Sequence, residues 1–233
     1  MKTSVALLAA VGTTGALAAP AAGCNKYVLV NARGTNELPG PSLGFIGMMK
    51  QTQDALPGGR VYNVDYPASV TIDQKGTYIG RDDIIKQIRN GMASCPDQTY
   101  ALLGYSQGAT VVLEALQAIS GTDMEPLVKA VVFDGNPYQV KNQKSTVDEF
   151  GGSRTRGNDG ILLKGFLGGI GSIPGIGLSP HWDNSGKVLN ICFDGDPVCN
   201  GIAYSLTSAA HLAYPITPSV QNLGAKHLIA HLA

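Results

Sequence analysis

The stretch Tyr100–Ala109 (YALLGYSQGA) decides the fold, because an apolar run passes directly into a serine that is flanked by glycines. Residues 104–108 match the pattern G-x-S-x-G, in which a strand turns sharply into a helix and lifts a serine hydroxyl to the top of a sheet. The pattern alone has low specificity, since about 0.2 matches are expected by chance at this glycine and serine content. Its context favours a nucleophile, because a strand pattern precedes it and a helical pattern follows. A serine that only caps the helix is the structural alternative.

Strand and helix patterns alternate on both sides of this stretch. Strands are predicted at 27–30, 61–65, 100–103, 128–133 and 188–193, and helices at 82–90, at 109–120 and from 218 onwards. Gly91 and Gly121 are expected to end the first two helices. This alternation favours the α/β fold class, a three-layer sandwich in which helices cover both faces of a central, mostly parallel sheet.

The composition excludes several classes of protein. Lys and Arg number 17, Asp and Glu number 17, and the sequence pI is about 6.9. We therefore expect no nucleic-acid partner and no electrostatic attraction to anionic membranes. Hydrophobic residues make up 44% and charged residues 15% of the chain, which is too apolar for a disordered protein.

Residues 1–19 have the pattern of a secretory signal peptide. Met1-Lys2 supplies a positive charge, Val5–Val11 is a short apolar segment, and Ala16-Leu17-Ala18 matches a cleavage site of the A-x-A type. The apolar segment is too short to cross a bilayer core about 30 Å thick, so no integral membrane segment is expected. We predict a secreted, extracellular protein with a signal peptide at 1–19 and a single catalytic domain at 20–233.

Four cysteines follow that cleavage site, namely Cys24, Cys95, Cys192 and Cys199. In an oxidising compartment an even number predicts two disulfides, for which three pairings are possible. Cys192 and Cys199 lie close in sequence, so a local ring between them is plausible and would leave Cys24 to pair with Cys95. The alternative is a zinc site, but the chain has no CxxC pair and its histidines are scattered. We expect no metal and no cofactor.

A serine nucleophile needs a base that accepts its proton and a carboxylate that orients the base. In α/β-hydrolases these groups follow in the order Ser, Asp or Glu, His. The downstream candidates are Asp123, Asp134, Asp148, Asp159, Asp183, Asp194, Asp196, His181, His211, His227 and His231. Asp196 follows a predicted strand inside the Cys192–Cys199 span, and His211 lies further along the chain. Spacing alone leaves these two assignments open, and the other histidines are interpreted as structural.

Four motifs in this chain resemble those of the fungal cutinases, most closely the cutinase-like polyester-degrading esterases. They are Ala32-Arg33-Gly34-Thr35 with Glu37, Gly104–Ala109 (GYSQGA), Cys192–Cys199 (CFDGDPVC) and Ala210–Tyr214 (AHLAY), in family order. The resemblance spans about residues 24–230. It implies a cutinase-like α/β-hydrolase fold and a carboxylic ester hydrolase that forms an acyl-enzyme.

The resemblance also implies a role for each matching residue. Ser106 would be the nucleophile, Asp196 the orienting acid and His211 the base. The backbone N–H groups of Thr35 and Gln107 would form the oxyanion hole, with the Thr35 hydroxyl as a further donor. The expected substrates are cutin or similar aliphatic polyesters and short- to medium-chain acyl esters, and the enzyme is expected to act as a monomer.

The resemblance further implies that Cys24 pairs with Cys95 and Cys192 with Cys199. The chain departs from the family at 153–185, where it is longer and richer in glycine. Within that region, 165–180 is either a flap over the acyl site or a surface loop whose apolar residues pack downwards. Two other functions stay open: an acetylxylan esterase, and a catalytically silent secreted protein that binds a surface. The single Trp and the cutinase-like loop at 33–35 favour the cutinase interpretation over the first of these.

Overall fold

Six parallel strands form the central sheet of the computed structural model, which describes residues 23–70, 75–164, 173–201 and 209–233. Their spatial order is β2-β1-β3-β4-β6-β5, and each described pair is parallel. The strands are β1 (Tyr27–Ala32), β2 (Gly59–Asn63), β3 (Thr99–Tyr105), β4 (Val128–Asp134), β5 (Thr146–Val147) and β6 (Val188–Ile191). The central strands β1, β3 and β4 are buried on both faces, as expected of parallel strands between two helical layers.

Helices cover both faces of this sheet. They are α1 (Ile46–Ala55), α2 (Lys75–Ser94), α3 (Gln107–Ile119), α4 (Pro180–Asn184), α5 (Pro197–Asn200) and α6 (Pro218–Leu232), with short 3-10 helices at Leu43–Phe45, Glu125–Leu127 and Tyr214–Ile216. Helices α2 and α3 pack on one face around Ile84 and Val111. Helices α1 and α6 pack on the other face around Met48 and Leu228. The predicted three-layer α/β architecture is confirmed.

Helix α2 differs from the sequence prediction, which ended a helix over 82–90 at Gly91. The observed helix runs through Gly91 to Ser94. A β-carbon at Gly91 would lie 1.6 Å from the Tyr100 hydroxyl and 2.8 Å from Gln98 Nε2. Gly91 therefore allows α2 to approach the sheet closely and does not end the helix. Helix α3, in contrast, ends just before Gly121 as predicted.

The strand register brings several loops to one edge of the sheet. Ala32 in β1 pairs with Gly104 in β3, Tyr105 pairs with Asp134 in β4, and Asp134 pairs with Ile191 in β6. Because the strands are parallel, the segments that follow β1, β3, β4 and β6 leave the sheet side by side at its carboxyl edge. Ligands of open α/β sheets bind at this edge.

Two disulfides join distant and local parts of the chain. Cys24 is bonded to Cys95, and Cys192 is bonded to Cys199, so the pairing implied by the resemblance is confirmed. The first bond ties the segment before β1 to the end of α2. Within the described ranges, no helix has the length and apolar character needed to cross a membrane. The signal-peptide prediction for 1–19 lies outside the described residues.

The described half of the glycine-rich segment packs against the protein. Ile176 and Leu178 are buried in the core cluster that includes α3. The Leu178 carbonyl accepts a hydrogen bond from Gln143 Nε2 at 2.6 Å, and the Ile173 N–H donates to the Tyr138 hydroxyl at 2.6 Å. Residues 173–180 thus pack as expected of a surface loop whose apolar side chains point into the protein, and not as a flap over the acyl site. Residues 165–172 lie outside the described part of the chain.

Candidate active site

Ser106 lies at the sharp turn between β3 and α3. Its backbone has φ +52° and ψ −117°, a region that non-glycine residues rarely adopt and that costs roughly 1–3 kcal/mol. Two hydrogen bonds hold this conformation. The Ser106 N–H donates to the Asp134 carbonyl at 2.9 Å, and its own carbonyl accepts the Ala109 N–H at 2.9 Å.

The glycines on either side of Ser106 are required by close backbone contacts. A β-carbon at Gly104 would lie 2.5 Å from the Gly108 carbonyl oxygen. A β-carbon at Gly108 would lie 2.1 Å from the Ala32 carbonyl oxygen. The G-x-S-x-G spacing therefore has a packing explanation, since both positions exclude any side chain and so allow α3 to start directly above the sheet.

A continuous chain of polar contacts links the predicted serine, histidine and aspartate. Ser106 Oγ lies 3.0 Å from His211 Nε2. His211 Nδ1 lies 3.0 Å from both Oδ1 and Oδ2 of Asp196. A carboxylate can only accept hydrogen bonds, so Nδ1 carries the proton and Nε2 of the neutral ring faces the serine hydroxyl with its lone pair.

Asp196 is fixed by its own loop. It is the N-cap of the short helix α5, and its Oδ1 accepts the Val198 N–H at 2.8 Å. The Cys192–Cys199 disulfide closes a ring around this position. The Tyr214 hydroxyl donates to Asp196 Oδ2 at 2.7 Å. The carboxylate is fully buried, yet each of its oxygens has a donor besides the imidazole.

His211 packs between two tyrosine rings. The Tyr105 ring stacks on the imidazole with 5.5 Å between centroids, and the Tyr105 hydroxyl donates to the His211 carbonyl at 2.6 Å. The Tyr214 ring meets the imidazole edge-on at 6.3 Å. The imidazole keeps 13% of its surface exposed, so it is held on its flanks while its edge stays open to solvent.

Gly135 has no side chain, and the His211 imidazole occupies the space that a side chain there would fill. It has φ +62°, and a β-carbon there would lie 2.9 Å from His211 Cε1 and 3.1 Å from Asp196 Oδ2. The strand end of β4 thus approaches the histidine–aspartate pair closely. Any side chain at this position would push the ring or the carboxylate away.

Asp134 places a second carboxyl group beside the first. Its side chain is fully buried, and within the described residues neither of its oxygens has a hydrogen-bond partner. Burial raises the pKa of Asp134 well above its usual range, and the charge of Asp196 raises it further. The neutral acid is therefore the form that suits this site at neutral pH.

The loop with Thr35 lies beside the strand-to-helix turn at Ser106. Thr35 is exposed and follows Ala32 by three residues, just as Gln107 follows Gly104, and Ala32 pairs with Gly104 in the sheet. Gln107 is the first residue of α3, so its N–H is one of the free donors at the helix start. The two segments that hold the predicted oxyanion donors are therefore neighbours.

A half-buried carboxylate, that of Glu37, holds this loop in place through hydrogen bonds. Glu37 Oε2 accepts the Gly34 N–H at 2.5 Å and the Ser42 hydroxyl at 2.8 Å, and Oε1 accepts the Leu43 N–H at 2.7 Å. The Arg33 guanidinium donates to the Glu37 carbonyl at 2.9 Å and to the Tyr66 carbonyl at 2.5 Å. These contacts hold the backbone on both sides of Thr35.

The remaining histidines lie elsewhere. His181 contacts Glu125 at 2.5 Å, and His227 and His231 contact the carbonyls of Lys187 and Gly186. Sequence reasoning missed the roles of Tyr105, Tyr214 and Gly135. The two tyrosines lie inside the matched motifs, one residue before the serine and three after the histidine, and that position was the available signal. Within the described residues, no group of three or more His, Cys, Asp or Glu side chains has an arrangement that could hold a metal ion.

Comparison with known proteins gives consistent matches over most of the chain. The family model for Cutinase matches residues 23–230. Carboxylesterase Culp1 of Mycobacterium tuberculosis is 30% identical over 230 residues, which covers 97% of this chain and 91% of that protein. A solved cutinase-like protein from Cryptococcus sp. superposes with a TM-score of 0.78 at 35% identity, covering 92% of this chain and 98% of that one. The catalytic core of acetyl xylan esterase from Trichoderma reesei has a TM-score of 0.68 at 20% identity, covers 89% of this chain and 99% of that one, and shares the fold.

Proposed function

Because this chain belongs to the cutinase family and is a carboxylic ester hydrolase, we propose that Ser106, His211 and Asp196 form its catalytic triad and that its substrates are aliphatic esters. The observation that supports the triad most directly is the pair of 3.0 Å contacts on the two nitrogens of His211. One nitrogen faces a hydroxyl and the other a buried carboxylate, which is the arrangement that acyl transfer requires.

In the acylation step, the Ser106 oxygen attacks the ester carbonyl carbon while His211 Nε2 takes the hydroxyl proton. The new C–O bond gives a tetrahedral anion and an imidazolium. Asp196 stabilises that imidazolium and keeps its proton on Nδ1. The imidazolium then gives the Nε2 proton to the alkoxy oxygen, so the alcohol leaves and the acyl group stays on Ser106.

The anion of this step needs donors on the carbonyl oxygen. We assign them to the backbone N–H groups of Thr35 and Gln107, with the Thr35 hydroxyl as a third donor. The hydrogen bonds that Glu37 makes within its loop, and the position of Gln107 as the first residue of α3, support this assignment. Losing one such donor typically costs about 3–4 kcal/mol of transition-state stabilisation.

Deacylation uses the same groups in reverse. A water molecule attacks the acyl carbonyl while His211 Nε2 takes one of its protons. The tetrahedral anion collapses, the carboxylic acid leaves, and the imidazolium returns a proton to the Ser106 oxygen. This step needs an open edge at His211, which the partial exposure of the imidazole supports.

The surface around the site supports an aliphatic substrate. Large apolar side chains stand exposed on the segments next to the predicted donors and base, namely Leu38, Leu43, Val70, Leu212 and Ile216. Leu38 has 83% and Ile216 has 80% of its surface exposed to solvent. Solvent-exposed apolar side chains around a polar centre suit a water-insoluble polymer such as cutin or a related polyester.

We further propose that the enzyme acts outside the cell as a monomer. The two disulfides support an oxidising compartment. The signal-like segment at 1–19 supports export.

A chain-length series of p-nitrophenyl esters, from acetate to palmitate, tests the function. We expect maximal kcat/KM at butyrate to hexanoate in the wild type, loss of hydrolysis in Ser106→Ala, and full activity in Ser94→Ala, an exposed serine on α2. Hydrolysis that persists in Ser106→Ala would overturn the triad. A preference for acetate alone, together with release of acetate from acetylated xylan, would favour an acetylxylan esterase.

A further inference from the structure

A large cavity lies beside the half of α3 that is distant from Ser106. Its volume is about 780 Å³, and its walls are the second half of α3, the segment 175–179 and α4. The rise of a helix is about 1.5 Å per residue, so the wall from Leu113 to Ser120 lies roughly 10–20 Å along α3 from Ser106. None of the proposed triad residues lines it.

The walls of this cavity are apolar and held in place. Leu113, Leu116, Ile176, Leu178 and Trp182 line it, and each keeps less than a tenth of its surface exposed. The Trp182 indole N–H donates to Ser120 Oγ at 2.8 Å, which fixes the ring against α3. A preformed cavity of this size falls in the range of roughly 300–1,000 Å³ that small apolar ligands use.

The described lining of the cavity includes one carboxylate, that of Glu125. Its Oε2 accepts the Gly121 N–H at 2.6 Å, and its Oε1 lies 2.5 Å from His181 Nε2. These two contacts lower the pKa of Glu125, which favours the ionised carboxylate, a group that can accept further hydrogen bonds. Among the described residues that line the cavity, Glu125 is the only Asp, Glu, Lys or Arg. The Lys187 ammonium lies over the Trp182 ring at 5.7 Å but is not among these lining residues.

We propose that this cavity is a second binding site, which takes a single aliphatic chain that ends in a hydroxyl group. The aliphatic chain of the ligand would lie against the leucines and Trp182, and the hydroxyl group of the ligand would donate a hydrogen bond to Glu125. A carboxylate or phosphate end group would meet the Glu125 charge and is excluded. An aliphatic alcohol is also the leaving half of an ester hydrolysed at Ser106; that link rests on the proposed function, whereas the binding itself does not.

Trp182 makes the site directly observable, because it is the single tryptophan of the chain. The experiment titrates Ser106→Ala protein with octan-1-ol and, separately, with octanoate, and follows the tryptophan emission. We expect saturable binding of octan-1-ol and at least about tenfold weaker binding of octanoate, as one unfavourable charge contact predicts. Octan-1-ol and octanoate contain no ester bond, and the emission change reports binding and not turnover, so this result does not depend on the proposed triad.

Two variants in the same background locate the site. Leu163→Glu adds a carboxylate to a half-exposed position of the wall and should weaken octan-1-ol binding about tenfold. Leu38→Glu adds the same charge at the catalytic edge and should leave the emission change intact. Glu125→Gln, which keeps the acceptor for Gly121, should reduce the preference for alcohol over octanoate. Absence of a saturable change, octanoate binding as tight as octan-1-ol, or loss of binding in Leu38→Glu alone would each overturn the proposal.

Discussion

The Tyr214 hydroxyl donates to Asp196 Oδ2 at 2.7 Å, and both side chains are fully buried. The same hydroxyl accepts the Phe193 N–H at 2.9 Å. It therefore connects the backbone of the loop between Cys192 and Cys199 to the Asp196 carboxylate in that loop. Burial and the Asp196 charge raise the pKa of Tyr214 well above its usual range, so the hydroxyl remains a donor throughout the pH range of an esterase assay. Tyr214 is thus a positioning residue for Asp196.

Tyr214→Phe should lower kcat about tenfold and leave KM nearly unchanged. It removes a hydrogen bond to a buried charge but none of the groups that would touch substrate, and tenfold corresponds to about 1.4 kcal/mol of barrier. Steady-state kinetics on p-nitrophenyl butyrate measures both constants. Tyr27→Phe is the matched control, because the Tyr27 hydroxyl is also a buried donor, to the Leu56 carbonyl at 2.6 Å, but lies at the far end of β1. Equal kinetic losses in both variants would mean that Tyr214 acts only through stability.

Gly135→Ala should reduce kcat by at least about a hundredfold while the protein remains folded. The new β-carbon would lie 2.9 Å from His211 Cε1, so the imidazole must move, and displacement of about 1 Å at a reacting group costs about that factor. Gly186→Ala controls for backbone strain, since Gly186 has φ +75°, close to the φ +62° of Gly135, but open space around its β-carbon position. Thermal unfolding and kcat are measured for both variants. Backbone strain at positive φ should lower the stability of both, whereas the contact with His211 should lower kcat only in Gly135→Ala. Equal activities in the two variants would contradict the role given to Gly135.

The sequence predicted the sheet, the strand-to-helix turn at Ser106 and the disulfide partners better than the groups that hold the site together. Ser106 is recognisable because the residues two positions before and after it must be glycines, and that requirement is visible in a short stretch of sequence. Asp196 and His211 come together only because β6 lies next to β4 and His211 packs against the loop that follows β6, so spacing alone left these two assignments open. Tyr214 and Gly135 act through contacts between segments far apart in sequence. Gly91 shows the same limit, since its effect depends on Tyr100 across the helix–sheet interface.

Asp134→Asn should stabilise the protein at pH 7 to 8 and do so less at pH 4. The pKa of Asp134 is raised in the folded state, so between about pH 4 and that raised value the folded protein binds more protons than the unfolded chain. The wild type therefore loses stability as pH rises through this range, by at most about 1.4 kcal/mol per pH unit for one group. Asparagine resembles the neutral carboxylic acid but does not titrate, so Asp134→Asn removes this decrease in stability.

Urea unfolding at pH 4, 6 and 8 measures the Asp134 effect. Asp54→Asn is the control, because Asp54 lies exposed on α1 in a surface pair with Lys50. A stability difference between wild type and Asp134→Asn that does not change with pH would show that Asp134 is ionised in the folded protein.

His227→Gln should make the protein less sensitive to acid between about pH 6.5 and pH 4. Burial is the main cause that lowers the pKa of His227 to about 4, and the nearby His231 lowers it further, although the hydrogen bond to the Lys187 carbonyl opposes the shift. In this window the unfolded chain takes up a proton that the folded protein does not, so wild-type stability falls as pH falls, by up to about 3 kcal/mol in total. Glutamine can still donate to the Lys187 carbonyl but does not titrate. The control variant is His181→Gln, because His181 is exposed. In this variant, folding stability should still fall between about pH 6.5 and pH 4, as in the wild type. If urea unfolding gives the same slope against pH for wild type and His227→Gln, the acid sensitivity arises from other groups.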